Sequence, residues 1–311
     1  EAIDWLEDRE PDSPFFTCLW FSEPHTPVLA ADEFRSLYPE ETTEPYLASL
    51  AKSGGPQVKR RDRLRDPDLY FGCISMLDHH IGRLLDYLVA AGLSDNTIVV
   101  FTSDNGPEHR TATAFGSSGD LRGAKGHIHE GGIRVPGIVR WPGVIKPGSI
   151  SDEPVNGTDW MPTFSSIGGA KIPSDRPIDG ADLLPLLSGK GVVTRPVPMM
   201  WWLWHARGGF EVAMRNGDYK MLATLLPQQN PGGFEDAIQP EGWSIMQFIK
   251  KAELGRFELF NLAEDGSEAE NLSGDEPETF EAIKAKMIAL HREIREEGPE
   301  LELSRGKKMG D

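Results

Sequence analysis

The sequence predicts an α/β protein, in which helices enclose a mostly parallel sheet and a small antiparallel sheet with a helix follows. Two observations predict this class. Apolar β-type runs alternate with segments of helical period in the first part of the chain, and beyond residue 198 short β-type runs precede one long helix. We therefore predict an α/β core over residues 1–198 and a C-terminal subdomain over residues 199–311. A chain of 311 residues, 39% of them hydrophobic, is long enough to bury a core.

The first elements of the core follow from apolar spacing. Residues 2–10 have the pattern of an amphipathic helix, and the run Pro14–Phe21 is apolar on both faces, which predicts a fully buried strand. Residues 67–91 repeat apolar side chains at helical spacing, and Gly92 stands where that helix should end. A strand over 97–102 follows. Strand, helix and strand in this order favour parallel pairing.

The later elements are shorter. A strand over 133–141, a short helix with Thr158 as its N-cap, and a proline-rich passage over 171–198 complete the predicted core. The C-terminal subdomain contains four β-type runs and a final helix. These elements are predicted at residues 199–205, 210–215, 219–224, 257–262 and 277–296.

Composition excludes several classes of partner. The chain has 49 acidic and 32 basic residues, a net charge of −17, and nucleic acid binding requires clusters of Lys and Arg, so no nucleic acid partner is expected. No apolar run reaches 18 residues, so no membrane span is expected either. Cys18 and Cys73 both lie in apolar runs, which predicts two buried thiols.

A pair of oxygen ligands follows the strand predicted at 97–102. Asp104 and Asn105 come directly after it, and Gly106 and Pro107 then break the chain. Carboxylate and amide oxygens suit Ca²⁺, and the carboxyl edge of an α/β sheet is where such folds bind ligands. A turn without metal is the alternative for the same residues.

Two cationic or titratable side chains stand in constrained loops. His25 lies within Pro24-His25-Thr26-Pro27, and an imidazole titrates near neutral pH, as acid–base catalysis requires. Lys125 is surrounded by glycines, which let an anion approach the backbone closely while the ammonium supplies charge. Each could instead be an exposed loop residue.

Other polar residues leave two readings open. His127 and His129 alternate, so in an extended segment they face one way, either as a zinc pair or, since no third ligand follows nearby, as the lining of a substrate pocket. His109 follows the Asp104 turn and is a candidate substrate contact. Glu130 and Arg134 predict an ion pair that fixes a loop.

Two further stretches are ambiguous in the same way. Trp201, Trp202 and Trp204 favour core packing, with a platform for sugar rings as the alternative. The charge run Lys59–Arg63 favours a mobile surface loop over a rim that contacts an anionic substrate.

Three segments resemble a known family. Pro24–Pro27, Thr102–Gly106 and Lys125–Pro136, in this order, resemble the sulfatases that use a formylglycine nucleophile, within the alkaline-phosphatase superfamily. The resemblance runs from about Phe15 to the C-terminal helix. It implies an alkaline-phosphatase-like core and a substrate that is a sulfated small molecule or a sulfated glycan.

The resemblance also implies roles for individual residues. Asp104 and Asn105 would bind Ca²⁺, Lys125 and His25 would bind the sulfate group, and His25 would also protonate the leaving alcohol. A periplasmic, secreted or lysosomal location would be in keeping with the family.

One expected motif is absent from the sequence. The family places its nucleophile in Cys-x-Pro-x-Arg or Ser-x-Pro-x-Arg within an N-terminal half, and no Cys or Ser of these 311 residues has that context. The expectation is therefore the C-terminal portion of a sulfatase, with an incomplete core, inactive as a sulfatase in this form. An incomplete sheet edge would favour association with a second copy.

Two alternatives for the function stay open. The first is a fragment that binds sulfated glycans without catalysis. The second is an esterase that uses a serine of Gly116-Ser117-Ser118-Gly119, although this run lacks the Gly-x-Ser-x-Gly spacing of a nucleophile elbow.

Overall fold

A computed structural model describes six stretches of the chain, residues 1–11, 13–39, 67–108, 115–206, 209–226 and 250–298, without the side chains of 204–210. The charge run at 59–63 and His109 lie outside them. The chain divides into two compact units. The first is formed by residues 1–118, 135–152 and 187–189, and the second by 119–134, 153–186 and 190–311. The predicted division at residue 198 stays a prediction.

The first unit is built around one long helix. Its described elements are α1 (Ala2–Glu7), α2 (Asp32–Arg35), α3 (Pro67–Ala90), a 3-10 turn (Ser94–Asn96), β1 (Val99–Thr102) and β2 (Gly137–Arg140). Helix α3 ends as predicted, because Gly92 adopts φ +68° and the Leu93 N–H then donates to the Leu88 carbonyl at 2.8 Å. Arg35 of α2 forms an ion pair at 2.8 Å with Asp68 of α3.

Strands β1 and β2 form a two-stranded antiparallel ribbon, in which Val99 pairs with Arg140 and Thr102 with Gly137. The predicted strand over 133–141 is thus shorter, because Glu130–Ile133 forms a helical turn, α4, which belongs to the second unit. Both sheets of the described residues are antiparallel. The parallel pairing expected within residues 1–102 is not formed among the described residues of that stretch.

The strand predicted over Pro14–Phe21 is wrong. Residues 13–21 have no regular secondary structure, and the side chains of Phe16 and Trp20 are 69% and 93% exposed. An apolar run forms a buried strand only where a second strand accepts its hydrogen bonds and other layers cover its faces, and no strand in the described part of the chain does so. For the same reason Cys18 is exposed rather than buried, whereas Cys73 is buried as predicted.

The second unit contains a four-stranded antiparallel sheet in the order β3-β4-β5-β6. Its strands and the long C-terminal helix agree closely with the sequence prediction. Its described elements are α4, a 3-10 turn (Gly157–Asp159), α5 (Trp160–Ile167), α6 (Leu184–Leu187), β3 (Met199–Ala206), β4 (Gly209–Asn216), β5 (Tyr219–Leu226), β6 (Glu253–Asn261) and α7 (Pro277–Glu297).

Alternation along β4 and β5 gives this sheet two covered faces. On one face Val212, Met214 and Met221 pack with Met287 of α7. On the other face Ala213, Leu222 and Phe260 pack with Ile128, which lies in the loop 119–129. The sheet therefore separates the C-terminal helix from the loop that carries Lys125.

Aromatic side chains of β3 have packing roles. Trp202 stacks on His291 of α7 with ring centroids 4.7 Å apart, and Trp201 packs against the cluster that contains Ile128. Packing is the reading that we favoured from the sequence. Trp204 lies among the residues whose side chains are not described.

The short helix near residue 158 begins differently from the prediction. Asn156 is its N-cap, because the Asn156 side chain accepts from the Thr158 N–H while Asp159 accepts from the Asn156 N–H at 2.7 Å. This reciprocal pair is a capping box, and its amide and carboxylate leave no capping role for the Thr158 hydroxyl. In the parts of the chain that are described, no helix combines the length and apolar character needed to cross a membrane.

Candidate functional site

The turn after β1 holds Asp104 and Asn105 side by side. The Asn105 amide donates to Asp104 Oδ1 at 2.6 Å, and the Ser103 hydroxyl donates to the Asn105 carbonyl at 3.2 Å. Asp104 is exposed, Asn105 is half-buried and Gly106 is buried. The turn thus presents one carboxylate and one amide oxygen.

These two oxygen ligands do not make a complete calcium site. Calcium takes about six to eight oxygens, and the described residues contain no group of three or more His, Cys, Asp or Glu side chains that could hold a metal ion. Further acidic ligands would have to come from elsewhere. A role for Asp104 and Asn105 in metal binding stays a prediction.

His25 lies in an exposed loop in which the Glu23–Pro24 and Thr26–Pro27 peptide bonds are both cis. Its backbone N–H donates to the Ser22 carbonyl at 2.7 Å, and its Nδ1 lies 2.7 Å from the Thr26 carbonyl. Because a carbonyl oxygen only accepts, Nδ1 carries the proton in this contact. In the neutral ring, Nε2 is then the nitrogen that can accept or relay a proton.

Lys125 lies in a loop whose backbone folds back on itself. Gly123 and Gly126 have φ +85° and +83°, the His127 N–H donates to the Ala124 carbonyl at 2.9 Å, and the Gly131 N–H donates to the Arg122 carbonyl at 2.7 Å. Only glycine adopts such positive φ without strain.

The side chain of Lys125 is half-buried. Its ammonium makes no hydrogen bond or ion pair with any residue that the structure describes. A half-buried cation without a carboxylate partner is suited to an anionic ligand, since the low local dielectric strengthens its field.

His127 and His129 lie close to each other across Gly123. A Cβ added to Gly123 would stand 3.1 Å from the Cβ of His127 and 3.2 Å from that of His129. His127 Nδ1 donates to the Ala124 carbonyl at 3.1 Å. No third ligand completes a zinc site among the described residues, and the lining of a substrate pocket stays a prediction for this pair.

The electrostatic surroundings of the loop are cationic near His129. Burial lowers the pKa of His129 to about 4, and the charges of Arg122, Lys220 and His127 lower it in the same direction. His129 is therefore neutral at pH 7, and its buried Nε2 has no hydrogen-bond partner in the described part of the chain.

Glu130 forms a different ion pair from the predicted one. Its carboxylate lies 2.9 Å from Nζ of Lys220 rather than pairing with Arg134, and Lys220 Nζ also lies 2.9 Å from Glu268 Oε1. All three side chains are buried. The predicted pair with Arg134 is not formed, because the Glu130 carboxylate is buried beside Lys220 whereas Arg134 is exposed.

Lys220 and Glu268 were not identified from the sequence. One signal was present, since Lys220 interrupts the apolar run of β5 at a position that alternation assigns to a covered face, and a buried Lys requires an acidic partner. Its partners are 90 and 48 residues away, so no local pattern names them.

The candidate residues fall into two groups. His25, Asp104 and Asn105 belong to the first unit, whereas Lys125, His127 and His129 belong to the second.

Comparisons with known proteins agree on one family. The family model described as Sulfatase matches residues 1–170, and that described as N-sulphoglucosamine sulphohydrolase, C-terminal, matches residues 124–221. Because the first match covers more than half of the 311 residues, the chain belongs to the sulfatase family. The predicted family and the α/β fold class are thus confirmed.

Individual relatives give the extent of the similarity. Steryl-sulfatase of Rattus norvegicus is 38% identical over 179 residues, which are 56% of this chain and 26% of that protein. The crystal structure of Ps i-CgsB in complex with k-i-k-neocarrahexaose matches with a TM-score of 0.68 and 24% identity, and the match covers 93% of this chain and 53% of that one. A structure in complex with its substrate D-glucosamine-2-N,6-O-disulfate gives 0.51 and 23%, with 88% and 53% covered.

The chain therefore spans a quarter of the rat protein and about half of these solved structures. At this level of identity the solved structures show the shared fold.

Proposed function

We propose that this chain carries the sulfate-recognition part of a sulfate ester hydrolase, in which Lys125 binds the sulfate group and His25 assists the departure of the alcohol. The observation that carries the proposal is the half-buried Lys125 ammonium, which has no partner among the described residues and lies in a glycine-rich loop. Membership of the sulfatase family supports it.

The chemistry of each group matches its proposed role. A sulfate monoester carries one negative charge spread over three oxygens, and an ammonium donates charge-assisted hydrogen bonds to such oxygens. The His25 tautomer places its proton on Nδ1, so Nε2 can take up a second proton and deliver it to the ester oxygen as the bond to sulfur breaks. His127 and His129 follow Lys125 closely in sequence, and we propose that His127 lines the part of the substrate pocket beside Lys125.

The proposal assigns binding rather than complete catalysis to these 311 residues. No Cys or Ser among them precedes the Pro and Arg of the nucleophile motif, so no residue here is assigned to attack sulfur. Asp104 and Asn105 would supply two oxygens to a calcium ion, which would neutralise sulfate charge when bound. No step is assigned to that ion because its ligand set is incomplete here.

We propose sulfated sugars as the substrate class, with sulfated aryl compounds as the alternative. The support is the solved relative whose substrate is D-glucosamine-2-N,6-O-disulfate. A second candidate function is the binding of sulfated glycans without turnover, which the half-buried Lys125 ammonium would also support. The esterase alternative gains no support, because its serines lack the elbow spacing.

Titration calorimetry with inorganic sulfate and with a sulfated monosaccharide tests the proposal. We expect saturable binding that Lys125→Ala weakens at least about tenfold, the cost of losing one charge-assisted hydrogen bond. Lys171→Ala is the matched control, since Lys171 is an exposed lysine of the same unit and its loss changes the net charge equally. Equal binding by parent and Lys125→Ala proteins would refute the assignment.

A further inference from the structure

Glu268 contacts the Lys125 loop at two points. Its carboxylate Oε2 accepts a hydrogen bond from the Glu130 backbone N–H at 2.6 Å, and its own carbonyl accepts one from the Arg122 guanidinium at 2.9 Å. Arg122 and Glu130 stand on either side of Lys125 in the sequence. One residue, 138 positions further along the chain, thus holds both ends of the segment 122–130.

The contact lies inside a buried ion cluster, formed by Glu130, Lys220 and Glu268. The side chains of Lys220 and Glu268 are 0% exposed, and that of Glu130 is 5% exposed. Lys220 Nζ lies 2.9 Å from a carboxylate oxygen of each acid. Because Lys220 belongs to β5, the cluster connects the loop to the sheet. Groups buried in this way are costly to leave unpaired, which makes the geometry of the cluster strongly determined.

The loop has little freedom to adopt other paths. A Cβ on Gly131 or Gly132 would overlap the carbonyl oxygens of residues 121–124 and 127, so the backbone of this segment is packed against itself. Glu268 itself holds φ +52°, a conformation that is uncommon for a residue other than glycine, Asn or Asp. Such strain persists only where the surroundings determine it.

We infer that Glu268 is a positioning residue for Lys125: it fixes the segment 122–130 at both ends and thereby sets where the Lys125 ammonium meets the sulfate group. The inference rests on the proposed role of Lys125. Lys220 contributes to this positioning, because its ammonium lies 2.9 Å from a carboxylate oxygen of both Glu130 and Glu268.

Two variants of Glu268 separate positioning from folding. Glu268→Asn tolerates the positive φ but is one methylene shorter, so its side chain no longer reaches the Glu130 N–H. Glu268→Gln keeps the length and one acceptor oxygen for the Glu130 N–H, but its amide nitrogen replaces the oxygen that lies beside Lys220 Nζ. Hydrogen–deuterium exchange of residues 123–131 and calorimetry with inorganic sulfate are measured for the parent and both variants.

We expect Glu268→Asn to raise exchange in 123–131 while exchange in β4 and α7 is unchanged, and to weaken sulfate binding about tenfold. Glu268→Gln should restore both toward the parent values. Unchanged exchange of residues 123–131 in Glu268→Asn would overturn the inference. If the parent binds no sulfate, the proposed function fails, and the exchange data alone then decide whether Glu268 fixes the loop.

Discussion

The protonation states of individual residues in this chain depend on their surroundings in the fold rather than on their place in a sequence motif. His129 is an example, because its neighbours Arg122, Lys220 and His127 and its burial all favour the neutral ring. The pKa of His129 is about 4 in the folded protein, compared with about 6.5 in an unfolded chain. The neutral form therefore contributes stability above pH 6.5, and this contribution is lost as the pH falls toward 4.

The His129→Gln variant tests this. It cannot take up the proton, so the free energy of unfolding of the parent should fall more steeply than that of the variant between pH 6.5 and 4, by up to about 1 kcal/mol per pH unit. Burial raises the pKa of Glu268 and of Glu211. These two acids therefore make the free energy of unfolding rise as the pH falls, and they do so in the parent and in the variant alike. Urea unfolding at a series of pH values measures the difference, and parallel curves would contradict the prediction.

At the scale of elements, a second buried ion pair ties the short helix α5 to the passage before β3. Arg195 binds Asp159 with both guanidinium nitrogens, at 2.8 and 2.7 Å, and Asp159 is fully buried. Asp159 also accepts the N–H groups of Asn156 and Ala181. The carboxylate therefore joins three segments of the second unit.

Removing the arginine should leave that carboxylate buried without its charge partner. We expect Arg195→Met to lower the free energy of unfolding by about 3 kcal/mol. Arg176→Met is the matched control, because Arg176 pairs with Asp175 at 2.7 Å while both side chains are more than half exposed, and exposed pairs contribute little. Urea unfolding compares the two. A loss in the control as large as in Arg195→Met would show that burial is not the cause.

The elements also show which structural features a sequence can reveal. Helices α3 and α7 and strands β3–β6 were predicted within a few residues, because periodicity and caps are local. The run Pro14–Phe21 was misread, because its apolar composition says nothing about whether a second strand pairs with it. Glu130 was recognised as an ion-pair residue, but its partners Lys220 and Glu268 are brought to it only by the fold.

The candidate site likewise has features that are local in the sequence and features that depend on the fold. Lys125, His127 and His129 share one short loop, so their proximity follows from the sequence. The lowered pKa of His129 does not, because it depends on Lys220, which comes from a different element. Residue type and spacing thus suggest the chemistry, and the tertiary structure determines the charge state and the orientation.

At the scale of the whole molecule, large apolar side chains of the first unit face solvent. Phe16, Trp20 and Ile138 are 69%, 93% and 59% exposed, and among the described residues β1 and β2 pair only with each other. Exposed apolar groups and unpaired strand edges favour association. We predict that the chain forms a homo-oligomer as its concentration rises.

Light scattering over a concentration series measures this association. The double variant Phe16→Ser with Trp20→Ser should shift the protein toward the monomer. Val192→Ser is the control, because Val192 is 75% exposed but belongs to the second unit. A parent protein that stays monomeric at the highest concentration would contradict the prediction.

The last prediction concerns catalysis by the whole chain. A covalent nucleophile divides sulfate ester hydrolysis into two easier steps, and the loss of such a group costs several orders of magnitude in rate, because the remaining groups only position and stabilise. His25 and Lys125 are of this remaining kind. We therefore expect the 311 residues, expressed alone, to bind sulfate while turning over aryl sulfates at a negligible rate. Release of a chromogenic phenol measures the rate, with His25→Ala and Lys125→Ala as comparisons. Robust turnover that either substitution abolishes would mean that these residues contain a nucleophile outside the Cys-x-Pro-x-Arg pattern.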